Sequence, residues 1–162
     1  IFDDDGRALS LDVGVRLVGV GEGGEGGEGE AAGMSDLDRL AANDRKAAAL
    51  AEQQKEGYWT RSLLDPAHAP GPETSGTAFF TYGYLWGLNN GYLKGCKYKK
   101  TAMKGWKYLT TVALQDDGRV GYVQPIGEKA IPGQIVDANS TANFGVGAFL
   151  LAACEMARFT NK

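Results

Sequence analysis

Glu56-Gly57-Tyr58-Trp59 and Asp117-Gly118-Arg119-Val120 decide the fold. Each joins an acidic residue to a glycine and then runs extended, and the two glycines stand 61 positions apart. Outward from the first, Leu37, Leu40, Ala41, Ala48, Leu50 and Ala51 recur at helical spacing over 36–54, with Ser35 and Asp36 as cap residues. Downstream come a short extended piece, YWTRSLL at 58–64, and a proline-rich loop, DPAHAPGP at 65–72. Glu73-Thr74-Ser75 then opens a helix over 74–90 that is apolar nearly all round, the pattern of a buried helix. Outward from the second turn the order repeats. A helix over 98–114 carries Met103, Trp106, Leu109, Val112 and Ala113, and the lysines of 94–107 give it a solvated face. RVGYVQ at 119–124 is extended, 125–137 is a loop with prolines and glycines, and an apolar helix runs from 139 or 140 to Phe159. A period of this size marks stacked helical hairpins. The expected architecture is all-α, with inner helices 74–90 and 140–159 and outer helices 36–54 and 98–114. Such hairpins close into an α/α toroid whose inner helices start at a central cleft. Six units would need roughly 370 residues. The chain has 162, so an incomplete ring is expected.

Composition separates the first residues from the rest. Residues 1–33 hold 10 of the 24 glycines. Leu11 to Val20 alternates like a short strand, and GEGGEGGEGE at 21–30 has nothing to bury, so it is expected to be flexible. The division expected is an atypical segment at 1–34 and a partial barrel domain at 35–162. No basic patch interleaved with aromatics indicates nucleic acid. No apolar run reaches the ~18 residues of a membrane span, and the acidic start shows no signal peptide, which leaves the compartment open. Cys96 and Cys154 lie 58 residues apart and are expected to be two ordinary buried thiols.

Several motifs carry chemistry on paper. Gly19 to Gly24 fits GxGxxG, but the run holds four glutamates, at 22, 25, 28 and 30, and no helix follows, so no nucleotide cofactor is expected. Asp3-Asp4-Asp5 reads as a solvated acidic run, and no metal is expected. His68, the single histidine, shares a loop with Asp65; it suits either idle exposure or proton transfer. PETSGTA at 72–78 makes a helix start, and at a cleft Glu73, Thr74 and Ser75 could also face sugar hydroxyls or a carboxylate. The aromatics of 79–88 read as core, whereas Trp59 on a loop edge is a candidate sugar contact. Asn139-Ser140-Thr141 is a glycosylation sequon or a helix cap. The candidate substrate-binding residues are thus Trp59, His68, Glu73, Thr74 and Ser75.

Taken together, GYWTRSLLD (57–65), PETSGTAFFTYGYLWGLNNGYL (72–93), GRVGYVQPIG (118–127) and GVGAFLLAACEM (145–156) resemble the C-terminal part of the glycoside hydrolase family 88/105 proteins. These are the unsaturated rhamnogalacturonyl hydrolases, and the resemblance covers about 47–160. It implies an (α/α)6 barrel and a pectin-derived oligosaccharide with an unsaturated uronic acid end as partner. It also implies catalysis by an aspartic acid that protonates the sugar's C4=C5 bond before water adds at C5. The family's catalytic aspartate and an RGNGW-like motif belong upstream of 36–54. Neither has a match in 1–46, so no catalytic residue is assigned. The resemblance therefore implies a piece lacking the catalytic half. The alternative is a non-catalytic carbohydrate-binding module, or one that self-associates through uncovered inner helices.

Overall fold

The computed structural model describes residues 52–63, 65–127 and 131–161. The strand expected at 11–20, the Gly/Glu run, Asp3 to Asp5, the GxGxxG stretch and nearly all of the 36–54 helix lie outside these residues. Three helices form the regular structure of the described chain together with one π-helical turn, and among the described residues extended pairing is confined to two isolated bridges, Trp59 with Glu73 and Leu114 with Val120.

Helix α1 spans Thr74–Asn89, as its apolar pattern requires. Glu73 caps it in extended conformation, and the Asn90 backbone N–H closes the far end on the Trp86 and Leu88 carbonyls. Helix α2 spans Cys96–Tyr108 and passes into one π-helical turn at Leu109–Ala113. The turn has a local cause. The Thr110 and Thr111 hydroxyls donate to the carbonyls of Trp106 and Lys107 at 2.9 and 2.7 Å, competing with the backbone ladder. Lys94, Lys97, Lys99, Lys100, Lys104 and Lys107 are all exposed, as a solvated face demands.

Helix α3 spans Asn143–Thr160 and starts later than expected. Its cap is Ala142, with no side-chain bond, so the 139–141 sequon is not a helix cap. Asp137 takes those residues into a turn instead, its Oδ1 accepting from the Asn139 and Ser140 backbone N–H groups at 2.8 and 3.1 Å.

The repeat survives at the level of single hydrogen bonds. The Gln54 N–H donates to the Tyr58 carbonyl at 2.8 Å and the Gly57 N–H to the Gln54 carbonyl at 2.9 Å. Gln115 and Gly118 make the same two bonds, to Arg119 and Gln115, at the same 2.8 and 2.9 Å. Both glycines adopt positive φ, +103° and +84°, which a side chain disfavours. At the second turn the Arg119 backbone N–H and then its guanidinium hold the Asp117 carboxyl below its usual range.

Helix α1 packs against both α2 and α3. Trp59, Leu63, Phe80, Tyr84, Leu85, Ala102 and Met156 form one core, and Ala78, Tyr108, Leu109, Ala113, Ala148 and Ala152 a second. Small residues set the spacing: a side chain on Gly105 would collide with the Thr81 hydroxyl of α1. The Tyr84 hydroxyl is buried with no hydrogen-bond partner among the described residues, and burial pushes its phenol well above the ordinary value. Tyr84→Phe removes that orphaned group at little change in shape. It should be neutral or raise stability by up to about 1 kcal/mol, measured by urea unfolding; a clear loss would mean that the hydroxyl has a partner.

The burial expected for both cysteines is wrong, since Cys96 and Cys154 are exposed. Cys96 is the first residue of α2, among its lysines. Cys154 sits on the α3 face that also carries Leu150 and Leu151, which are 56% and 44% exposed. Helix α3 buries Ala148, Ala152 and Met156 on one side, and no described element covers the other.

Candidate functional site

Two loops meet at the start of α1: 58–73, which precedes that helix, and 119–142, which precedes α3. Glu73 is the join. It is 2% exposed, and both carboxylate oxygens are taken. Oε1 accepts from the Ser75 N–H (2.9 Å), the Ser75 hydroxyl (2.7 Å) and the Gln124 N–H (3.2 Å), while Oε2 accepts from the Gly76 N–H (2.6 Å). Three of these donors lie in its own helix start and one comes from the second loop. The negative group also suits the positive end of the helix dipole.

Thr74 adds two more ties. Its N–H donates to the Tyr122 carbonyl at 2.8 Å, and its hydroxyl lies 2.9 Å from the Tyr108 hydroxyl. Tyr122 reaches this position at φ 58°, a left-handed conformation that side chains seldom adopt. Burial pushes the Tyr108 phenol well above the ordinary tyrosine value, and the Thr74 bond opposes this only in part. Fold and protonated phenol therefore favour each other at both Tyr84 and Tyr108. Their contribution is complete below the ordinary value of 10.0 and is lost as pH rises through the raised ones. Urea midpoints at rising pH should stay level up to about pH 10 and decline beyond it.

Trp59 is not on an exposed loop edge. It is fully buried: its N–H donates to the Thr77 hydroxyl at 3.0 Å, its carbonyl accepts from the Glu73 N–H at 3.2 Å, and its ring packs on Phe80 and Tyr84. The bridge to Glu73 draws the chain inward and takes the ring with it. Phe80, Tyr84 and Leu85 are core, as expected for 79–88. His68 is exposed in a turn where its N–H donates to the Asp65 carbonyl at 3.0 Å, while Asp65 Oδ1 accepts from the Ala67 N–H at 3.1 Å. The structure thus brings Trp59, Glu73, Thr74 and Ser75 together as a buried, hydrogen-bonded helix start. His68 lies on the exposed loop beside it.

One residue of this region was missed in the sequence. Arg61 is 5% exposed and reaches across to the second loop. Its Nη1 donates to Gln134 Oε1 at 3.1 Å and its Nη2 to the Gln134 carbonyl at 3.0 Å, with the Ile131 carbonyl at 3.5 Å. A lone cation inside YWTRSLL, two positions after Trp59, was the available signal. Alternation along an extended piece puts both residues on one side.

The description Glycosyl Hydrolase Family 88 matches residues 40–160. An unsaturated 3S-rhamnoglycuronyl hydrolase from Alteromonas sp. (strain LOR) is 45% identical over 107 residues, which is 66% of this chain and 25% of that protein. Among solved structures, a glycosyl hydrolase family 88 protein from Bacteroides vulgatus is 63% identical with a TM-score of 0.67, covering 76% of this chain and 35% of that one. A protein described as a polysaccharide lyase is 65% identical, also with a TM-score of 0.67, over 79% of this chain and 37% of that one. The chain thus spans about a quarter of the length of the curated relative and about a third of the solved ones. The structural neighbours are helical barrel enzymes, so the paired helices seen here are hairpins of an α/α barrel, of which this chain makes up part.

Proposed function

The chain belongs to glycosyl hydrolase family 88, and on that premise we propose that it serves in a hydrolase acting on oligosaccharides with an unsaturated uronic acid end, such as those left by lyases cutting pectin. The observation that carries this is the family match across both hairpins, joined to a helix start where two loops converge at Glu73. The part played here is structural and binding. Glu73 and Glu155 are the buried carboxyl groups among the described residues, and both are committed. Glu73 caps α1, while Glu155 accepts from Asn89 Nδ2 at 2.7 Å and pairs with Arg158 at 2.7 Å. Neither is placed to give a proton to a sugar. His68 and the rim of the 65–72 loop are the exposed candidates for contact, next in the chain to the buried helix start of Glu73, Thr74 and Ser75.

Incubating the chain with an unsaturated uronyl disaccharide and following absorbance of the sugar's C4=C5 bond tests the division of labour. The expected trace is flat. A steady fall that scales with protein concentration would show that the chain carries its own acid.

A second role is favoured by the face of α3 that no described element covers. Leu150, Leu151 and Cys154 form an apolar stripe that another copy of the chain can cover. Size exclusion under reducing conditions should show association rising with concentration, and converting Leu150 and Leu151 to lysine should abolish it. A monomer at all concentrations rules this role out.

A further inference from the structure

A guanidinium taken out of water needs an opposite charge or a full set of acceptors. Arg61 has neither. Among the described residues the ion pairs are Arg119 with Asp117 and Arg158 with Glu155, so no described carboxylate lies within 4.0 Å of Arg61. Its partners are neutral: the Gln134 side chain and the carbonyls of Ile131 and Gln134. These engage Nη1 and Nη2, while no described group accepts from Nε. Arg61 keeps 5% of its surface exposed. An arginine that is mostly buried, fixed by a neighbouring loop and left with a donor edge that no described group uses is pre-organised for a planar oxyanion.

We propose that Arg61 is the carboxylate-recognition residue of this region, and that it binds the uronate group of an acidic sugar. The inference rests on the reading of the chain as part of a uronyl hydrolase and names the group that such a sugar presents to it. The two loops that meet at Glu73 also hold Arg61, one as its backbone and the other through Gln134. A carboxylate there would supply the missing charge without displacing the loop, because Gln134 occupies the other edge. The bond is charge-assisted on both sides and partly shielded from water. It should therefore resist moderate salt better than a surface pair would.

The test uses the full chain, with galacturonate as probe and galactose as its neutral match. Binding is followed by NMR at the arginine Nε–Hε signals, with the near-ultraviolet circular dichroism of the buried tryptophan as a fold control. The expected result is a saturable shift of the Arg61 signal with galacturonate and none with galactose. Arg61→Lys keeps the charge but loses the planar fork, and should weaken galacturonate at least about tenfold. Gln134→Ala removes the clamp but leaves the cation, and should still bind. If both sugars bind alike and Arg61→Lys changes nothing, Arg61 is a loop clamp only, and the carbohydrate reading survives without it. If neither sugar binds the unsubstituted chain, both fall.

Discussion

Glu73→Ala is expected to lower the unfolding free energy by about 3 kcal/mol, the largest loss from any single polar side chain in the described region. The substitution strips the acceptor from three backbone donors, those of Ser75, Gly76 and Gln124, and from the Ser75 hydroxyl. The hydroxyl can rotate to a new partner; the backbone groups cannot. A buried donor left without an acceptor costs about 1–3 kcal/mol, and loss of a helix cap alone about 1 kcal/mol. Water entering the space would recover part of this, which sets the figure below the simple total. Glu73→Gln should cost less, because its oxygen can serve one edge while its amide opposes the donors on the other. Urea unfolding of the three proteins checks the order. A loss below about 1 kcal/mol for alanine would mean that the helix start does not depend on this carboxylate.

Gly57→Ala should cost about as much, for a different reason. A Cβ at Gly57 would sit 2.8 Å from the Lys104 carbonyl carbon and closer still to its oxygen, and both are backbone atoms of α2. The positive φ adds its own strain of about 1–2 kcal/mol. The backbone of a packed helix yields little, so about 3 kcal/mol or more is expected, with outright failure to fold as the extreme. Its repeat mate provides the control. Gly118 has the same turn bonds and a similar φ, but nothing lies within 4 Å of its added Cβ. Gly118→Ala should therefore cost about 1 kcal/mol, from backbone strain alone. Equal losses at the two sites would show that the approach of the first turn to α2 is looser than the structure has it.

These two glycines also show how far the sequence can be read. Their shared surroundings disclosed a repeat of helical hairpins, and the structure carries that repeat down to matched hydrogen bonds. The sequence could not tell which glycine faces a neighbouring helix, since that depends on Lys104, far along the chain. Helix α1 was legible because it is apolar on all sides. The start of α3 was not, because Ser140 is as suited to the Asp137 turn as to a cap, and the turn is held by a tertiary hydrogen bond from the Val123 N–H to the Ser140 carbonyl. Trp59 looked like a rim residue from its place after a turn, yet the bridge to Glu73 pulls it inside. Arg61 stood out only as a lone cation in its stretch, and nothing beside it in sequence points to a partner 73 residues away. Cys154 misled in the opposite direction: two sparse, widely spaced cysteines read as buried thiols, but the face Cys154 occupies has no described neighbour.

The most direct test of the account is an amide NMR titration of the full chain with an unsaturated uronyl disaccharide. Saturable shifts are expected in 58–75 and 119–134, around the start of α1, with the α2 lysine face unmoved. Shifts confined to α2 or to the Leu150–Leu151 face, or no saturable shift at all, would contradict a sugar site at the inner helix start.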